Sequence, residues 1–235
     1  MSRARRLAAE ALGTAFLLAA VVGSGIMGEH LAQGNVAIAL LANTLATGAA
    51  LVVLILVFGP ISGAHLNPVV TLSQLMLGRQ SRGEAVSYGL AQVLGALAGV
   101  AAAHLMFGEP LFFASHHVRS GAAQWWSEFV ASFGLLLVIH NVGRYRPGMI
   151  PLALGGYITA AYWFTASTSF ANPAVTLARS LTDTFSGIRP VDTPGFIVAQ
   201  IFGALAATLV SRWMFGPAPH PVPAEKPDLS LPQQD

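Results

Sequence analysis

Asn67-Pro68-Val69-Val70-Thr71-Leu72 returns as Asn172-Pro173-Ala174-Val175-Thr176-Leu177, 105 residues later (172 − 67). Asn is a favoured helix N-cap and Pro suits the first helical position, so each phrase reads as the start of a helix. Both starts lie in strongly apolar surroundings. A helix that begins inside a bilayer must have its free N–H groups met by protein or by a water-filled path. Two such starts in corresponding parts of one chain point to a pathway across a membrane.

The composition supports that setting. Hydrophobic residues make up 54% of the 235-residue chain and charged residues 9%, with a mean hydropathy of +0.62. A soluble domain carries roughly a quarter charged residues, so a soluble fold is excluded. The net charge of +2 comes from 12 Lys and Arg scattered without a dense patch, which argues against nucleic acid as a partner. The absence of cysteine excludes disulfides, thiolate catalysis and thiolate metal sites. With no nucleophile–base pair and no metal-ligand cluster, neither an enzyme, a cofactor nor a metal is expected.

Apolar stretches at about 7–28, 36–58, 84–107, 122–140, 148–167 and 194–215 read as six spans of roughly 20 residues. The pieces at 67–77 and 172–182 are too short to span and read as re-entrant half-helices. Glu10 and the length of the first apolar run argue for a retained helix rather than a cleaved leader. Further repetition links the halves. Ala91-Gln92-Val93-Leu94-Gly95-Ala96 matches Ala199-Gln200-Ile201-Phe202-Gly203-Ala204, and Met106-Phe107-Gly108 matches Met214-Phe215-Gly216. Gly95 and Gly99 read as close helix packing rather than as a dimer signal.

Residues 1–120 thus form a first repeat and 121–216 a second, with 217–235 a disordered cytoplasmic tail rich in proline. Each half holds three spans, an odd number, so the second must enter the membrane from the opposite side. The expectation is an all-α membrane protein with six transmembrane helices and two half-helices in an inverted repeat. With both termini inside, Arg3, Arg5, Arg6, Arg79, Arg82, Arg144, Arg146, Arg212 and Lys226 are cytoplasmic, against Arg119 and Arg189 outside. The half-helix N-termini then meet near the midplane, where each carries roughly +0.5 charge and disfavours cations.

These residues resemble the aquaporin (major intrinsic protein) family over nearly the whole chain. Ser62-Gly63-Ala64-His65-Leu66-Asn67-Pro68-Val69 and Asn172-Pro173-Ala174 carry the likeness. Glu10 with Gly13-Thr14, and Glu128 with Ser132-Phe133, resemble its paired first-helix motifs. The resemblance implies a channel for water or small neutral solutes in a bacterial inner membrane, assembled as a homotetramer among lipid. It places Asn67, Pro68, Asn172 and Pro173 at the pore midplane, each Asn amide free to donate to a passing solute. Glu10, Glu128 and His65 are read as structural support, and the exposed pair His116-His117 as solvated.

Most relatives carry arginine three residues after the second Asn; here that position is Val175. The remaining filter positions fall at Thr47, Ala160 (to about one residue) and Ser169 or Phe170, a set that reads as wide and lightly polar. This combination is most similar to bacterial aquaglyceroporins linked to arsenic resistance, which implies glycerol-like polyols, arsenite and organoarsenicals as solutes. Arg179 lies one turn beyond Val175 at the outer vestibule. It either restores the missing charge or, the favoured reading, pairs with Asp183. Two rival functions remain: mainly a water channel, or an ion-coupled secondary transporter, a class that also uses inverted repeats and broken helices.

Overall fold

The computed structural model describes residues 1–216, so the expected tail at 217–235 lies outside them. Among the described residues the helices are α1 Arg3–Ala32, α2 Val36–Ser62, α3 Pro68–Met76, α4 Arg82–Phe107, α5 Ala122–Tyr145, α6 Ile150–Phe164, α7 Pro173–Arg179 and α8 Thr193–Phe215. Five of them, α1, α2, α4, α5 and α8, are long and apolar enough to cross a bilayer. The sixth expected span is α6, which has only 15 residues. At 1.5 Å per residue that is about 22 Å, short of a ~30 Å hydrocarbon core. A 3₁₀ turn at Pro147–Met149 leads into it and extends its reach.

Leu12, Phe16, Leu45, Leu94, Phe202 and Leu209 turn outward and are exposed. Water would penalise such faces; lipid does not. Inward, α1 packs on α2 and α4, while α5 packs on α6 and α8. The closest approaches fall at glycine. A Cβ on Gly95 or Gly99 would overlap the carbonyls of Ala11 and Ala15, and one on Gly203 would overlap that of Phe129. Gly95 and Gly99 therefore serve packing between α4 and α1, as their spacing suggested.

The half-helices form where the Asn-Pro phrases stand. Asn67 caps α3 by accepting from the Val69 amide at 3.0 Å. Asn172 caps α7 by accepting from Ala174 at 3.0 Å and Val175 at 3.3 Å. Proline occupies the first helical position in both, where its missing N–H costs nothing. The second half-helix ends at Arg179, earlier than the expected 182. Its last carbonyls find loop partners instead: Ile188 N donates to Arg179 O and Ser115 N to Ser180 O.

The loops leading into α3 and α7 repeat in backbone conformation. Gly63, Ala64 and Leu66 have positive φ, and so do Thr168, Ser169 and Ala171, each 105 residues on. Non-glycine residues in that region cost on the order of 1–3 kcal/mol each and persist only when their surroundings hold them.

Candidate functional site

Two buried carboxylates hold those strained loops. Glu10 on α1 accepts from His65 N at 3.0 Å, Leu66 N at 2.7 Å, Ser62 Oγ at 2.6 Å and Gln92 Nε2 at 2.8 Å. Glu128 on α5 accepts from Phe170 N at 2.9 Å, Ala171 N at 2.8 Å and Gln200 Nε2 at 2.6 Å. Gln92 and Gln200 also donate to Thr71 and Thr176 on the half-helices, at 3.0 and 2.8 Å. A buried carboxylate so fully bonded is satisfied without a cation.

The half-helices meet N-terminus to N-terminus, and their caps cross. Asn67 Nδ2 donates to Ala171 O at 2.8 Å, while Asn172 Nδ2 donates to Leu66 O at 2.8 Å. One amide hydrogen of each Asn is therefore spent on the opposite loop. The expectation that the whole NH₂ is free is corrected: one hydrogen remains, because a second loop with an open carbonyl lies against each cap.

Two cavities that share part of their walls lie along this junction. At one end lies a vestibule of about 1160 Å³ bordered by Gln74, Arg79, His140, Arg144 and Arg212. It shares Ile55, Ala64, His65, Val70 and Leu154 with a narrow segment of about 60 Å³. That segment runs past Asn67 and Asn172 to Thr47, Ile158, Tyr162, Ser169, Phe170, Val175 and Arg179. No Asp or Glu lines either cavity among the described residues.

Several expected positions shift. Pro68 and Pro173 shape the caps but do not line the lumen. Ala160 is exposed on the outer face of α6. Ile158 and Tyr162, two residues to either side, face inward, since 100° per residue puts a position two steps away on the opposite side. Tyr162 donates to Thr47 Oγ1 at 3.4 Å across the lumen wall. His65 borders the lumen and bonds Thr71 Oγ1 through Nδ1 at 3.0 Å, so it is wall as well as support.

The largest correction concerns Arg179. It is 2% exposed, and its guanidinium carbon lies 3.4 Å from the centre of the Phe170 ring. Its Nε donates to Ser186 O. Asp183 pairs instead with His116, through both the amide and the ring Nδ1 at 2.7 Å. The Asp183 carboxyl is held below its usual range by those His116 donors. The loop after α7 folds back over the mouth, which carries Asp183 outward and leaves Arg179 inside. With Tyr162, Phe170 and Arg179 at this end, the narrow segment is neither wide nor lightly polar.

Gln92 and Gln200 were absent from the sequence reading as functional residues. The signal for them was present: an amide repeated inside two otherwise apolar helices needs a buried partner.

Two half-helices thus meet inside a membrane-embedded helix bundle, beside the cavity that borders both caps. Residues 1–147 match the model of the Major intrinsic protein family. The chain belongs to that family and is a channel for small neutral solutes and water. It is 57% identical over 214 residues to Aquaglyceroporin AqpS of Rhizobium meliloti (strain 1021), covering 91% of each chain. It is 31% identical over 230 residues to Aquaporin Z of Bradyrhizobium diazoefficiens, covering 89% of this chain and 93% of that one. The solved aquaglyceroporin from Plasmodium falciparum superposes with a TM-score of 0.69 at 23% identity, over 90% of this chain and 95% of that one, a likeness of fold.

Proposed function

We propose that the chain is a passive facilitator for glycerol-like polyols and neutral metalloid hydroxides such as arsenous acid, with water passing as well. The observation that carries this reading is a pair of adjoining cavities with amide donors where the half-helices meet and no carboxylate on their described walls. An ion-coupled transporter needs a titratable acid where it meets the coupling ion. Glu10 and Glu128 do not supply one, because backbone amides and glutamines occupy both.

In this reading Asn67 and Asn172 hand a solute from one half to the other, each through its remaining amide hydrogen. Thr47, Ser169, Phe170 and Val175 set selectivity, and Glu10, Glu128 and His65 keep the loops open. Both termini lie on the cytoplasmic side of a bacterial inner membrane. That orientation is supported by Arg79, Arg144 and Arg212 sharing one vestibule. Assembly as a homotetramer rests on family kinship, and the outward apolar faces suit lipid or sister subunits.

Stopped-flow light scattering on proteoliposomes without an ion gradient tests the function. Entry of glycerol or arsenous acid well above that of empty vesicles is the expected result. Water flux with neither solute would make the protein a water channel, and gradient-dependent, saturating uptake would make it a transporter.

A further inference from the structure

We propose that Arg179 is a specificity-determining residue of the narrow segment, favouring solutes with two oxygens on one central atom, the small neutral oxyacids, over polyols of similar size. The proposal rests on the channel reading above.

Arg179 stands four residues beyond Val175, so its Cα lies about 6 Å further along α7 on the same face. Helical side chains lean back toward the N-terminus. A long guanidinium starting one turn late therefore returns to the level of the filter, and Arg179 borders the same lumen as Val175, Thr47, Tyr162 and Ser169. Two fixtures hold its head: the Nε bond to Ser186 O, and the Phe170 ring beneath it at 3.4 Å. Arg119 lies 5.1 Å from the centre of the same ring, and its Nε bonds Gly187 O at 2.7 Å.

The terminal amino groups of Arg179 are left for the lumen. Among the described residues they make no protein hydrogen bond, and no carboxylate pairs with Arg179. They are also not among the fully enclosed polar atoms that lack a partner. A planar fork of free N–H donors matches two oxygens fixed on one centre better than hydroxyls on neighbouring carbons. Val175 and Ile158 line the same segment and offer no competing donor. The charge also opposes cations entering the narrow segment. The equivalent residue in the first half is Gln74, which borders the wide vestibule.

The test compares wild-type protein, Arg179→Lys and Arg179→Gln in phosphatidylcholine–phosphatidylglycerol vesicles, with glycerol, urea and arsenous acid as probes at neutral pH. The acid-to-glycerol permeability ratio is expected to fall about tenfold in both variants, the size of one lost charge-assisted hydrogen bond. Potassium leak is expected to rise in Arg179→Gln alone, since lysine keeps the charge without the fork. A residue that merely ties α7 to the loop would leave the ratio unchanged, and simple widening would raise all three solutes in order of size. Either result overturns the proposal. If neither variant reconstitutes, Phe170→Leu removes the platform and leaves the arginine. A two- to threefold fall in the same ratio supports the proposal, and an unchanged ratio refutes it. Wild-type protein impermeable to every probe would instead refute the channel reading.

Discussion

The two re-entrant segments are built alike and finished differently. Each has an Asn cap, a proline at the first position, three left-handed residues in register and a glutamate shared with a glutamine. Their divergence begins where side chains meet the lumen. His65 in the first corresponds to Phe170 in the second, and Gln74 corresponds to Arg179. One end opens into about 1160 Å³, whereas the other closes to about 60 Å³. Backbone support is thus shared across the repeat, while the constriction is local to one copy. A duplicated frame can keep its hydrogen-bond logic in both halves while only one narrows.

The strongest challenge to that equivalence is removal of the carboxylates. Glu128→Leu strands three buried donors and Glu10→Leu strands four. At about 1–3 kcal/mol each, either change consumes much of a typical 5–15 kcal/mol stability. Thermal melting in detergent should show no cooperative transition for either variant. Tolerance of one and loss of the other would break the symmetry of support.

The caps come next. Asn67→Ala and Asn172→Ala each remove a cap worth about 1 kcal/mol and a cross-loop bond of about the same size. Both variants should melt lower by similar amounts, and a difference of several degrees would show that one loop depends on the crossing more than the other.

Val175→Arg and Val70→Arg occupy equivalent places. The first adds a guanidinium beside Arg179 in the narrow segment and should cut glycerol flux at least tenfold, about 1.4 kcal/mol in barrier. The second can turn its head into the vestibule and should change flux by less than threefold. Stopped-flow rates at matched protein content decide it, and equal losses would erase the distinction between the two ends.

The smallest effect belongs to the loop over the mouth, where Asp183 pairs with an exposed His116. Because the carboxyl titrates lower folded than unfolded, its stabilisation is present above about pH 4 and fades as pH falls through the folded value. Asp183→Asn should therefore cost a few tenths of a kcal/mol at pH 7 and nothing near pH 2. A pH-independent difference in melting temperature would remove the pair from the account.

Much of this frame is legible in the sequence because it depends on positions that must repeat. Asn-Pro caps, buried glutamates and close-packed glycines each leave a residue type at a fixed offset. Arg179 does not. Its partner is a carbonyl at Ser186, set by an irregular loop that carries no periodicity, so spacing alone favoured the nearer carboxylate at Asp183. Ala160 failed for a related reason. Position counted back from a loop drifts by a residue or two, and on a helix that drift reverses the face. Gln92 and Gln200 were visible as letters, but their role appears only when each loop amide is asked for its acceptor.

The crossed caps also bear on how the protein is made. Asn67 bonds a carbonyl 104 residues ahead, and Leu66 O waits for a donor 106 residues ahead. During synthesis the first half therefore enters the membrane with its central turn unfinished, its strained backbone held by Glu10, Ser62 and Tyr88. Closure is a late, long-range event that needs the second half present, and contacts so distant along a chain form slowly. Neither half, expressed by itself, holds the donors and acceptors to complete its own turn.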